Sequence, residues 1–96
     1  MGLGHAMTEE VRVDDGRVEN PSLADYKLPT HMDVPPLRFL MLEELAGPGP
    51  FGAKMAGELN TAAVPPAIAN AIAAASGARV TELPLSAERV LRALRG

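Results

Sequence analysis

The 96-residue chain has no cysteine and no tryptophan, and only Tyr26, Phe39 and Phe51 are aromatic. Without cysteine it can hold no disulfide, no thiolate zinc site and no cysteine-ligated iron–sulfur cluster, and it is compatible with a reducing cytoplasm. So few aromatics leave almost no platform for stacking single-stranded bases. A net charge of −3 argues against a general phosphate-backbone binder, so nucleic acid is not an expected partner. No run of about 18 apolar residues exists, so no membrane span is expected. The N-terminal MGLGHAMTEEV lacks the basic region and apolar stretch of a secretory signal. A cytoplasmic location is therefore the expectation.

Aliphatic residues and alanine are abundant, enough for an aliphatic core in one domain at most. Charge is uneven: residues 1–48 carry nine acids and four bases, and residues 49–96 carry three acids and five bases. Arg89, Arg92 and Arg95 make most of that basic end, and read as the solvated face and last turn of a helix. His5 and His31 lie far apart, with no cysteine or paired carboxylate at ligand spacing, so no metal site is expected of them.

Periodicity and punctuation give the expected elements. Leu3, Ala6 and Met7 have helical spacing within residues 1–10, although no N-cap precedes them. Glu10–Glu19 reads as a hairpin about the Asp15-Gly16 turn. Ser22 or Asn20 caps a short turn through Leu23–Tyr26, and the prolines at 29, 35 and 36 make Lys27–Pro36 an extended connection. Leu37–Leu45 has bulky residues on both alternating faces and reads as a buried strand ending at Glu43-Glu44. Residues 58–64 allow one or two helical turns, which Pro65-Pro66 should prevent from continuing straight. A helix over Ala67–Ser76 follows, with Ile68, Ile72 and Ala75 on its apolar face and Gly77 as a left-handed stop. A short strand over Arg79–Leu83, with Val80 inward, then leads to a helix capped by Ser86. The mixture favours an α+β fold of short helices on a small mixed sheet.

The stretch Gly47–Glu58, GPGPFGAKMAGE, holds four glycines and two prolines in twelve positions. A glycine-dense loop entering a helix lets backbone N–H groups approach a bulky or anionic ligand, with Glu58 aimed at it as a base. The same residues also read as a tight connector whose Glu58 complements the positive end of a helix dipole. Local physics leaves both open.

The order of the motifs narrows the choice. NPSLADYKLPT, DVPP, GPFGAK, AIANAI and ELPLSAERV occur in succession. From Gly2 to Leu94 the chain resembles the C-terminal end of the large, molybdenum-binding subunit of the xanthine dehydrogenase/aldehyde oxidase/carbon monoxide dehydrogenase family. The resemblance implies a partial domain, residues 1–96, belonging to a molybdopterin-binding domain several times longer. It implies a molybdenum–molybdopterin cofactor, in bacteria usually the cytosine dinucleotide form, held only with the rest of the subunit. It also implies hydroxylation of aldehydes, heteroaromatics or similar substrates, with water as the oxygen source. Electrons would leave through iron–sulfur clusters and flavin on partner subunits, neither group being held by this chain.

In that family the loop pattern is G-A-K-G-x-G-E, and its glutamate is the base beside the metal. By resemblance Glu58 takes the catalytic position, and Gly52, Ala53, Lys54 and Gly57 the cofactor-contacting ones. Met55 departs from the pattern, which has glycine there. If position 55 requires a positive φ, methionine is strained by about 1 kcal/mol or more, and its side chain points where backbone should meet ligand. Lys54 reads equally as a solvated charge. Two readings remain: a hydroxylase segment, inactive alone, that completes a larger subunit, and a non-catalytic remnant or small interaction domain.

Overall fold

The computed structural model describes residues 1–43 and 47–96. Three α-helices, α1 (Gly2–Met7), α2 (Leu59–Ser76) and α3 (Ala87–Arg95), accompany one antiparallel pair, β1 (Val13–Asp14) and β2 (Arg17–Val18). The fold class is α+β, with a smaller sheet than expected.

Glycine and alanine, not the leucine and methionine periodicity, make α1. Gly2, Gly4 and Ala6 are buried, whereas Met7 is exposed. A β-carbon on Gly2 would lie 2.5 Å from the Asn60 carbonyl oxygen and 2.9 Å from Val64 Cβ, so α1 meets α2 backbone to backbone. Six residues make a marginal helix in water, and this contact is what holds it. The Leu85 N–H donates to the Ala6 carbonyl at 2.7 Å, tying the chain before α3 onto the same helix. Arg89 of α3 reaches back to Glu10 at 2.8 Å and donates to the Pro84 carbonyl at 3.0 Å. The Glu10 carboxylate holds the Arg89 guanidinium's pKa above its ordinary value. Arg89 is thus half-buried in an ion pair and is not part of a solvated face; Arg92, exposed and paired with Glu88 at 3.0 Å, is.

The hairpin forms where expected, with Val13 opposite Val18 and Asp14 opposite Arg17. Asp15 and Gly16 both adopt positive φ, 43° and 75°, the geometry that matches a two-residue turn to strand twist. Asn20 pins its base by accepting from the Arg12 N–H at 2.9 Å and donating to the Glu10 carbonyl at 2.7 Å. Ser22 does close a turn at Tyr26, but its hydroxyl donates to Asp25 and caps no N–H group.

Three further expectations fail. The helix over Leu59–Ser76 runs unbroken through both prolines, with Pro65 buried and lining a cleft with Leu83 and Leu85. The helix thus continues despite the two N–H donors that the prolines lack. Arg79–Leu83 forms no strand; no neighbouring strand lies beside it among the described residues, and Val80 is half-buried at the cleft. Residues 37–43 form no strand either, and all are exposed; Glu44 and Leu45 lie outside the described residues. Gly77 stops α2 at φ 78°, and the Ser86 hydroxyl accepts from the Arg89 N–H at 3.3 Å, both as expected.

Among the described residues, the buried apolar ones are few and mostly small: Ala6, Ala78 and Leu85, joined by Pro65 and Pro84. The radius of gyration is 17.0 Å, against roughly 12–13 Å for a compact chain of this length. Accessible surface is 8103 Å², whereas a compact monomer of 10.1 kDa exposes roughly 5300 Å².

Candidate functional site

The glycine-rich loop is built on a tight turn. Gly52 N–H donates to the Gly49 carbonyl and Ala53 N–H to the Pro50 carbonyl, both at 3.0 Å. Pro50 supplies the fixed φ that starts this turn. A β-carbon on Gly49 would collide with the Ala53 carbonyl oxygen, so only glycine allows the chain to fold back this closely. Gly52 then leaves the turn at φ 73°.

Two findings at this turn were not legible beforehand. Met55 is not in the left-handed region, and its side chain is exposed, so methionine sits there without the backbone strain anticipated. Phe51 carries that conformation instead, at φ 55°, with its ring fully exposed. A bulky residue in this region costs roughly 1 kcal/mol or more and persists only where its surroundings impose it. No local signal marks it, since the closure between Gly49 and Ala53 is what imposes it.

Glu58 stands at the N-cap of α2 and is exposed, and its side chain makes no capping hydrogen bond. Its carbonyl is held by both the Thr61 hydroxyl at 2.7 Å and the Thr61 N–H at 3.2 Å, which fixes the first turn of α2. Lys54 folds its stem over Gly47, 3.8 Å from where a β-carbon there would sit, and makes no ion pair among the described residues. Gly57 has open space on its β-carbon side. No intrachain acceptor takes the backbone N–H groups of residues 54–58 among the described residues. Gly52, Ala53, Lys54, Gly57 and Glu58 therefore share one surface-exposed loop and helix entry. Free N–H donors, one ammonium and an unobstructed glycine form a donor set suited to an anionic, oxygen-rich group.

His5 and His31 are both exposed, and no three His, Cys, Asp or Glu side chains cluster among the described residues. No helix among the described residues is long and apolar enough to cross a membrane.

Known proteins resolve what family such a surface belongs to. Residues 1–35 match the molybdopterin cofactor-binding domain family. The chain is 35% identical over 94 residues to a probable xanthine dehydrogenase subunit of Bacillus subtilis, covering 98% of this chain and 13% of that protein. It is 38% identical over 94 residues to the aldehyde oxidoreductase molybdenum-binding subunit PaoC of Escherichia coli K12, covering 95% and 13%. With the putative xanthine dehydrogenase molybdenum-binding subunit XdhA of the same organism, identity is 39% over 92 residues, covering 94% and 12%. The chain belongs to the xanthine dehydrogenase/aldehyde oxidoreductase family of molybdenum-binding subunits. It spans about an eighth of these relatives' length, 12–13%. The domain match lies over α1, the hairpin and the Asn20–Asp33 turns, and stops short of the loop carrying Glu58. Membership thus rests on the packed N-terminal part and on similarity along the whole chain, while the loop's chemistry rests on its geometry.

Proposed function

We propose that this chain is a partial domain of a molybdenum hydroxylase large subunit, contributing Glu58 as the proton acceptor. The observation that carries the reading is the exposed Glu58 carboxylate, unbonded at a fixed helix start beside free backbone donors. In the assembled subunit, a bound molybdenum–pterin group, in its cytosine dinucleotide form, supplies the oxidation of a substrate carbon. This chain holds part of that group and moves one proton. The free N–H groups of residues 54–58 and the Lys54 ammonium would take its anionic oxygens, with Gly57 leaving room for close approach. The Glu58 carboxylate accepts the proton of the oxygen nucleophile, so that the nucleophile attacks as an anion. Thr61 keeps the Glu58 backbone from shifting, so the carboxylate has a constant origin. The substrate is an aldehyde, a heteroaromatic or a similar electrophilic carbon, and electrons pass to iron–sulfur and flavin subunits. Alone, the 96-residue chain is inactive.

The test is a chimera. Gly2–Leu94 replaces the matching segment of the E. coli aldehyde oxidoreductase molybdenum-binding subunit, which is assembled with its partners. Glu58→Gln should lower kcat by about 10²–10⁴-fold, the usual contribution of a general base, while molybdenum content stays unchanged. Retained activity in Glu58→Gln would sink the assignment.

Met55, where the resembling loop has glycine, favours a second reading as a non-catalytic interaction domain. That reading requires the chimera to assemble without molybdenum, and Met55→Gly to restore both metal and turnover.

A further inference from the structure

Residues 37–42 form neither helix nor strand, and their side chains, apolar except for Arg38, are all exposed. Phe39 and Met41 are 88% and 85% exposed, and Leu40 and Leu42 are 92% and 93% exposed. Among the described residues, the backbone groups of this stretch make no hydrogen bond. Adjacent apolar side chains with unsatisfied amides on both edges suit a strand inside a sheet covered on both faces. Pro35 and Pro36 have no N–H to donate to a ladder, which sets the start at Leu37, and the exposed Glu43 marks the far end. Six residues at the strand rise span roughly 20 Å.

We propose that Leu37–Leu42 is a strand donated to the sheet of the rest of the molybdenum-binding subunit, pairing on its edges and packing on both faces. This rests on the reading that the chain is part of a longer subunit. The accessible surface exceeds that of a compact monomer of this mass by roughly 2800 Å², which is on the scale of an obligate interface. The relatives contain about eight times more chain, of which this segment is 13%, so the covering layers have a ready source. A second copy is a poor occupant. It offers the same lone stretch and a hairpin of two-residue strands, enough for one edge but not for two faces.

The experiment uses the chimeric holoenzyme and the free 96-residue chain. Amide exchange at residues 37–42 should be fast in the free chain and protected in the holoenzyme. Phe39→Asp and Leu40→Asp, one on each face, should each lower the yield of assembled subunit by about tenfold or more, because both bury an unpaired carboxylate. Leu40→Pro should do the same by removing a ladder donor. Leu23→Asp, exposed but outside the stretch, should stay within about twofold. Tolerance of aspartate on either face, or unprotected amides in the holoenzyme, overturns the proposal. So does a free-chain dimer that protects the same amides. A Glu58→Gln chimera that assembles and stays active removes the catalytic reading while leaving this one intact.

Discussion

Asn20 and Phe51 occupy opposite situations in one chain. Asn20 is a polar side chain that is 6% exposed, with both ends of its amide bonded to backbone groups of the segment before the hairpin. Phe51 is an apolar ring that is fully exposed, on a backbone twisted into the left-handed region. Around Asn20 the polar groups are spoken for: Thr8 donates to the Lys27 carbonyl at 2.8 Å, and Tyr26 donates to Glu9 at 2.9 Å. Around Phe51, from residue 34 to Gly57, the only intrachain bonds among the described residues are the two that shape the turn. The first region is a scaffold that satisfies itself. The second has its apolar and hydrogen-bonding capacity turned outward, where a larger body would use it.

The contrast predicts that substitutions in the scaffold destabilise the free chain, whereas those in the outward segment do not. The sharpest case is Gly2→Val, which drives two methyl groups into the Asn60 carbonyl and Val64. Overpacking of this kind costs about 1–3 kcal/mol. With so small a core, that should unhinge α1 from α2 and lower the helical circular dichroism of the free chain. Unchanged helicity and urea midpoint would break the comparison. Asn20→Ala should cost about 1–2 kcal/mol by leaving the Arg12 N–H and Glu10 carbonyl without their partner. The readout is faster amide exchange at Arg12, with the hairpin tip unaffected.

Phe51→Gly is the inverse case. Glycine adopts positive φ freely, so the free chain should gain about 0.5–1 kcal/mol. In the chimeric holoenzyme the same change should weaken assembly or turnover, since the ring is lost from the surface that meets the rest of the subunit. A loss of stability in the free chain would mean that the ring packs on this chain after all.

Much of the scaffold could be read from residue chemistry because its signals are local. Asp15-Gly16 specified the hairpin, Gly77 the end of α2, and Ser86 the start of α3. Three features were illegible for a common reason: their determinants are distant in sequence. Pro65 and Pro66 lie in a helix whose first turns pack on Gly2 of α1, far earlier in the sequence. Arg89 pairs with Glu10 across 79 positions, which no helical-face argument shows. Residues 37–42 read as a buried strand, but they form none and are all exposed; nothing among the described residues pairs with them or covers them. At the site, Gly52, Ala53, Lys54, Gly57 and Glu58 were singled out by motif resemblance; that they lie on one loop and helix entry follows from their nearness in sequence and assigns them no role. Phe51 was not found, because only the Gly49–Ala53 closure forces its backbone over.

Tyr26 gives the smallest and cleanest check on the scaffold. Its hydroxyl donates to the Glu9 carboxylate at 2.9 Å, and this hydrogen bond is the main cause of a pKa raised above the ordinary 10.0. Ionising the phenol removes the donor and sets a second negative charge against Glu9. A group whose pKa is raised by folding lends its stabilisation fully below its unfolded value, and loses it as pH rises through the folded value. With the carboxylate ionised at neutral pH the bond should therefore be intact, and it should fail only as pH climbs past about 10 and through the raised folded value, detaching Tyr26 from the end of α1. Tyr26 is the sole tyrosine and there is no tryptophan, so phenolate absorbance reports this one site. Glu9→Ala should return the titration midpoint toward 10.0 and leave residues 37–42 exchanging as before. If the midpoint does not move, the Tyr26–Glu9 bond is not made in solution, and the self-satisfied region is smaller than its hydrogen bonds indicate.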